Sequence, residues 1–129
     1  MSKNVILCVD DEKIILDSLK TQLKAHFGEK FLYEVAENAD DAMELIDELH
    51  DDGLRILVIV TDWLMPGIKG DEFLAQVHKK YPEIVKVMLT GQADSEAIER
   101  ARKYANLHRY IPKPWAAEVL FEAIESGLE

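Results

Sequence analysis

Three runs constrain what this chain can fold into more than any other feature: "VILCV" from Val5, "ILVIV" from Ile56 and "IVKVML" from Ile84. Each has the length of a strand and is almost wholly apolar, so both of its faces should be buried. A sheet with one wet face would alternate apolar and polar residues instead. Amphipathic helix patterns lie between the runs. That combination points to a parallel sheet covered by helices on both sides.

The full order is five strand–helix pairs. The first strand is expected at Val5–Val9, followed by a helix with Leu16, Leu19, Leu23 and Phe27 on one stripe and Gly28 as its stop. Phe31–Ala36 reads as the second strand. Ala42, Leu45, Ile46 and Leu49 mark the second helix, and Gly53 follows it. Ile56–Thr61 is the third strand. A helix over about residues 70–81 buries Phe73, Leu74 and Val77, with Pro82 beyond it. Ile84–Leu89 is the fourth strand. Residues 94–104 form the fourth helix, capped by Asp94 or Ser95. Leu107–Ile111 is the fifth strand, and the last helix carries Ala117, Leu120, Phe121, Ile124 and Leu128. The segments "FLYEVA" and "LHRYI" mix polar and apolar positions and fit sheet edges. The order 2-1-3-4-5 satisfies all of this. It is the flavodoxin-like α/β arrangement, a doubly wound five-stranded parallel sheet, in which ligands bind beyond the carboxyl ends of strands one and three.

Residues 1–129 suit one domain with a real core, without linker or repeat. Cys8 is the single cysteine and has no internal partner, which favours a reducing, cytoplasmic setting. No secretion signal is visible, and no apolar stretch reaches the roughly 18 residues needed to span a membrane. The formal net charge of -10 argues against direct binding of nucleic acid or anionic lipid. It also raises the question of whether some carboxylates converge on a cation.

The strand ends answer that question. Strand one ends in Asp10 and Asp11, strand three in Asp62, and strand four in Thr90; Lys113 and Pro114 follow strand five. Taken singly, each has an ordinary role: Asp11 as a helix cap, Asp62 as a turn residue before Pro66–Gly67, Thr90 as a strand end, Lys113 as a solvated charge. Taken together they form one rim. Three clustered carboxylates require a cation or a proton at neutral pH. An all-oxygen site with few protein ligands suits Mg²⁺, which keeps waters and accepts a phosphate oxygen. A lysine and a threonine hydroxyl beside it suit a phosphoryl group.

The segments "VDDE" at 9–12, "TDWLMPG" at 61–67, "LTG" at 89–91 and "IPKP" at 111–114 stand in order at these strand ends. In this the chain resembles the response regulator receiver domain of two-component signalling, over essentially its whole length, with every core residue of that pattern present. The resemblance implies that Asp62 accepts a phosphoryl group from a phosphohistidine on a sensor histidine kinase or phosphotransfer protein. It implies that Asp11 binds Mg²⁺ directly and Asp10 largely through water, with Asp62 and the Leu64 backbone carbonyl completing the protein ligands. Thr90 and Lys113 would contact the phosphoryl oxygens, and the Lys113–Pro114 bond would be cis. Thr90 and Tyr110 would act as the switch, altering a surface over helix four, strand five and helix five that controls an output domain or downstream protein. Read from sequence alone, Tyr110 also fits an ordinary surface aromatic on an edge strand. Leu64 and Gln92, two residues past Asp62 and Thr90, would modulate water access and so the phosphoryl lifetime. The family also allows homodimers. The "KPW" ending resembles receivers in larger signalling proteins with an enzymatic output, and both a complete regulator and an excised domain fit. Such a domain promotes its own phosphorylation and dephosphorylation and is not a classical enzyme.

Three rival readings are weaker. A haloacid-dehalogenase-type phosphohydrolase shares the strand-end aspartate but needs an acid two residues on, where this chain has Leu64. A phosphorylation-independent interaction module would leave the complete site unused. A flavodoxin needs a phosphate-cradling loop where this chain has "DDEK".

Overall fold

A computed structural model describes residues 4–91 and 95–129. The elements run β1 (Asn4–Val9), α1 (Lys13–Phe27), β2 (Leu32–Ala36), α2 (Ala39–Asp51), β3 (Arg55–Thr61), α3 (Gly70–Lys80), β4 (Val85–Thr90), α4 (Ser95–Ala105), β5 (Arg109–Pro112) and α5 (Ala117–Gly127), with a short 3-10 turn after α1. All strand pairs are parallel, in the order β2-β1-β3-β4-β5. The chain therefore adopts the flavodoxin-like order expected from the apolar runs, with the mixed segments at the two edges.

Successive residues of the central strands alternate between two core layers, as the two-residue period of a strand requires. Val5, Leu7, Val9, Ile59 and Met88 face the side carrying Ala42, Ile46, Phe73, Val77 and Ala101, that is α2, α3 and α4. Ile6, Cys8, Val58, Val60, Val87 and Leu89 face Leu16, Leu19, Leu23, Leu120 and Ile124, that is α1 and α5. Cys8 is fully enclosed, and burial pushes its thiol up to about 12, which leaves it inert.

Several local expectations change. Leu128, expected on the last apolar stripe, lies just past α5 and is 37% exposed; Ala123 is buried in that layer instead. A small residue at position 123 lets α5 sit close to the sheet. Leu107, expected to open the fifth strand, precedes it: β5 starts at Arg109. Asn106 takes a left-handed φ of 52°, and Leu107 N–H bonds back to the Ala101 carbonyl, so the chain is still leaving α4 there. Asp11 does not cap α1. Glu12 holds the cap position, and no side chain caps that helix. The Asp94 cap and Gln92 lie outside the described residues.

The lysine in "IVKVML" is the least expected core member. Lys86 is 1% exposed. Its ammonium is satisfied by the Ile84 carbonyl at 2.8 Å, the Pro82 carbonyl at 3.3 Å and His78 Nδ1 at 3.1 Å. Burial lowers its pKa to about 8. From Lys86 to Thr90 the strand is buried throughout although its residues are not all apolar.

Candidate functional site

The site is assembled from strand ends. The ladder continues one residue past β1 and β3: Asp62 N–H donates to the Val9 carbonyl at 2.9 Å, and Asp10 N–H donates to the Ala36 carbonyl at 3.2 Å. Both aspartates are therefore fixed by backbone bonds before their side chains are considered. Asp10 is 1% exposed and Asp62 7%, whereas Asp11 faces solvent. One carboxylate oxygen from each of the three lies within 4.8 Å of the others.

Lys113 reaches into this group from the segment after β5. Its ammonium donates to Asp10 Oδ2 at 2.8 Å and lies 3.4 Å from Asp62 Oδ2. Lys113 N–H also donates to the Thr90 carbonyl at 3.1 Å, and the Lys113–Pro114 bond is cis. Burial alone would lower the lysine pKa. The Asp10 and Asp62 carboxylates outweigh it and hold the ammonium above its usual range. Burial pushes the Asp10 carboxyl up; the bonds from Lys113 and from Glu12 N–H (2.9 Å) offset this only in part. One cation among three acids leaves the cluster short of positive charge.

Asp11, Asp62, Leu64, Thr90 and Lys113 line one open cleft of about 460 Å³, together with Glu12, Met65, Pro66 and Gly91. Asp10 does not line the cleft but bonds to Lys113, which does. Leu64 is 44% exposed. Thr90 is buried, and its carbonyl also accepts from the Tyr110 hydroxyl at 3.3 Å. Tyr110 is half-buried and packs against the core, so the plain surface-aromatic reading does not hold. Of the residues singled out from sequence, the fold brings Asp10, Asp11, Asp62, Leu64, Thr90, Tyr110 and Lys113 together.

The profile of the response regulator receiver domain matches residues 6–125. The chain belongs to the response regulator receiver domain family. The hydrogenase transcriptional regulatory protein HoxA of Cupriavidus necator is 35% identical over 96% of this chain, but the chain spans only 24% of that protein's length. A chemotaxis protein CheY homolog of Campylobacter jejuni is 31% identical over 95% of this chain and 91% of its own. A CheY-like receiver domain from Methanospirillum hungatei superimposes with a TM-score of 0.85 at 31% identity, covering 98% of this chain and 94% of that one. The receiver is thus a signalling domain. No helix among its described residues is long and apolar enough to cross a membrane.

The motifs did not reveal what surrounds Asp62 on the α3 side. Gly70 opens α3 directly against the Asp62 carbonyl: a β-carbon there would lie 2.2 Å from that oxygen and 2.8 Å from Trp63 Cα. A glycine at the first position of an otherwise ordinary helix was the available signal, since glycine is a poor helix former. Trp63 N–H donates to Asp62 Oδ1 at 2.8 Å, and the Trp63 carbonyl accepts from Gly70 N–H at 2.8 Å. Gly67 takes a φ of 80°, which explains the Pro66–Gly67 turn. Trp115, just after Pro114, is tied to α1 by a 2.9 Å bond from its indole N–H to Gln22 Oε1.

Proposed function

We propose that this receiver takes a phosphoryl group onto Asp62 from a phosphohistidine of a sensor histidine kinase or phosphotransfer protein. The bond from phosphorus to the histidine nitrogen breaks as a bond to an Asp62 carboxylate oxygen forms, and the broken bond's electron pair returns to the imidazole. The observation that carries this reading is the placement of a largely buried ammonium 3.4 Å from a strand-end carboxylate in an open cleft. There is little covalent chemistry for the protein to do. Its part is positioning and charge neutralisation.

The three convergent carboxylates are hard oxygen donors of the kind Mg²⁺ takes. Asp10, Asp11, Asp62 and the Leu64 backbone carbonyl would hold the ion, whose charge would offset those of the carboxylates and of the incoming phosphate. Lys113 and the Thr90 hydroxyl would bind phosphoryl oxygens. The Thr90–Tyr110 contact would then change and alter the surface of α4, β5 and α5, through which an output domain or a downstream protein is controlled. Homodimerisation is compatible with this scheme. The protein acts in the cytoplasm and serves as substrate and catalyst of its own phosphorylation, without turning over a separate substrate.

Incubation with acetyl phosphate and Mg²⁺ tests the reading. Intact mass is expected to rise by one phosphoryl group in the parent and not in Asp62→Asn. No gain in the parent would point to the phosphorylation-independent module.

Leu64 offers no polar group to orient water over Asp62, and it is exposed in the cleft. Leu64→Asn is expected to change the phosphoryl lifetime while leaving Mg²⁺ affinity within about twofold. Gln92 would act with it. Equal lifetimes for parent and variant would remove Leu64 from this role.

A further inference from the structure

A third buried carboxylate lies behind Asp62, outside the cleft. Asp71, on the first turn of α3, is 7% exposed. Its Oδ1 accepts from the Trp63 indole N–H at 2.8 Å, and its Oδ2 accepts from Arg100 Nε at 2.9 Å. Trp63 in turn holds Asp62 Oδ1 through its backbone N–H. One hydrogen-bonded chain therefore runs from the Asp62 carboxylate through Trp63 and Asp71 to Arg100, in the middle of α4. We propose that Asp71 is a positioning residue that couples the phosphorylation state of Asp62 to α4 through Trp63 and Arg100. This inference rests on Asp62 being the phosphoacceptor.

The packing of α4 makes the chain consequential. The buried residues of this helix are Ala97, Ala101 and Ala105, one small side chain per turn, with Ile98 partly buried beside them. By contrast, α1 buries three leucines and a phenylalanine. Apolar burial scales with area, so the seam under α4 is thin. Elements with few buried apolar contacts are the ones that shift most readily. On such a helix, a charge-assisted bond to a nearly dry carboxylate is a large share of what sets its position.

Arg100 has a second carboxylate within reach on its own helix. Arg100 lies 2.9 Å from Asp71 and 4.0 Å from Glu96, one turn earlier on α4. Adding a doubly charged phosphoryl group to Asp62 changes what the Trp63 N–H faces, and the same rigid residue carries the indole that holds Asp71. Movement of Trp63 away from Asp71 would weaken the hold on Arg100 and favour Glu96. Coupling then takes the form of an α4 position biased by the charge on Asp62 at one end and by the Arg100 pairing at the other.

Hydrogen–deuterium exchange of residues 95–105, with and without acetyl phosphate and Mg²⁺ and normalised to the phosphorylated fraction, tests this. In the parent, phosphorylation is expected to change exchange across α4. Arg100→Gln, at a half-exposed position where folding is not at risk, should reduce that change at least twofold. Arg100→Lys, which restores a cation for Asp71, should recover part of it, and Trp63→Phe should reduce it as Arg100→Gln does. A purely structural role would shift exchange equally in both states and leave the difference intact. That outcome, or a parent that gains the phosphoryl mass with unchanged α4 exchange, overturns the coupling. A parent that gains no mass overturns the phosphoacceptor reading itself, and the coupling with it.

Discussion

Replacing Lys113 with methionine is expected to slow phosphoryl uptake from acetyl phosphate by about 100-fold or more, the usual cost of losing one preorganised donor at a developing anion. Methionine keeps most of the side-chain volume and removes only the charge. Among the described residues, Lys113 alone pairs with both Asp10 and Asp62, so its loss also leaves the nearly dry Asp10 carboxylate without its cation. Removing one member of such a pair costs about 3 kcal/mol at neutral pH. The pH dependence has a definite sign. Burial already raises the Asp10 pKa above its ordinary value, and without Lys113 it rises further. A carboxyl whose folded pKa exceeds its unfolded one binds more protons when folded. Its burial is therefore tolerated at low pH and becomes destabilising as pH rises from the ordinary carboxylate range toward neutrality. The stability gap between parent and variant should widen over that window in urea unfolding. Uptake within threefold of the parent would remove Lys113 from the phosphoryl contacts; a pH-independent gap would remove it as the partner of Asp10.

Gly70→Ala is expected to destabilise the fold by about 2–3 kcal/mol or more, although alanine is the better helix former. Two effects oppose each other here. Propensity favours alanine by up to about 1 kcal/mol, less at a helix terminus. Against it, the new methyl would lie 2.2 Å from the Asp62 carbonyl oxygen and 3.0 Å from the Asp62 carbonyl carbon. Those are backbone atoms, held by the Gly70–Trp63 bond and by the ladder bond from Asp62 to Val9, so they have no rotamer to escape into. Overpacking wins. Since the residue displaced is Asp62 itself, phosphoryl uptake should fall along with the urea midpoint. A variant as stable and as quickly phosphorylated as the parent would show that the loop after β3 shifts freely.

Legibility differed by residue. Strand order followed from "VILCV", "ILVIV" and "IVKVML" because burial on both faces leaves few arrangements for five parallel strands. The rim residues Asp10, Asp11, Asp62, Thr90 and Lys113 followed because the end of a strand is a definite place in such a sheet. The burial of the Lys86 ammonium is not legible in "IVKVML", because two of its three partners are backbone carbonyls, which every residue possesses and no sequence pattern marks. Leu128 fits the apolar period yet lies outside the helix, because the helical period does not say where a helix stops.

The sequence by itself determined the architecture and which side chains meet at the carboxyl edge of the sheet, since strand period and chain order dictate both. Only the tertiary structure decided what holds Asp62 from behind. Asp71 and Arg100 are 29 residues apart, and the spacing of charges along a chain carries no record of which pairs will face each other in a dry interior. The same holds for Gly70, whose missing side chain matters only because another backbone passes within contact distance.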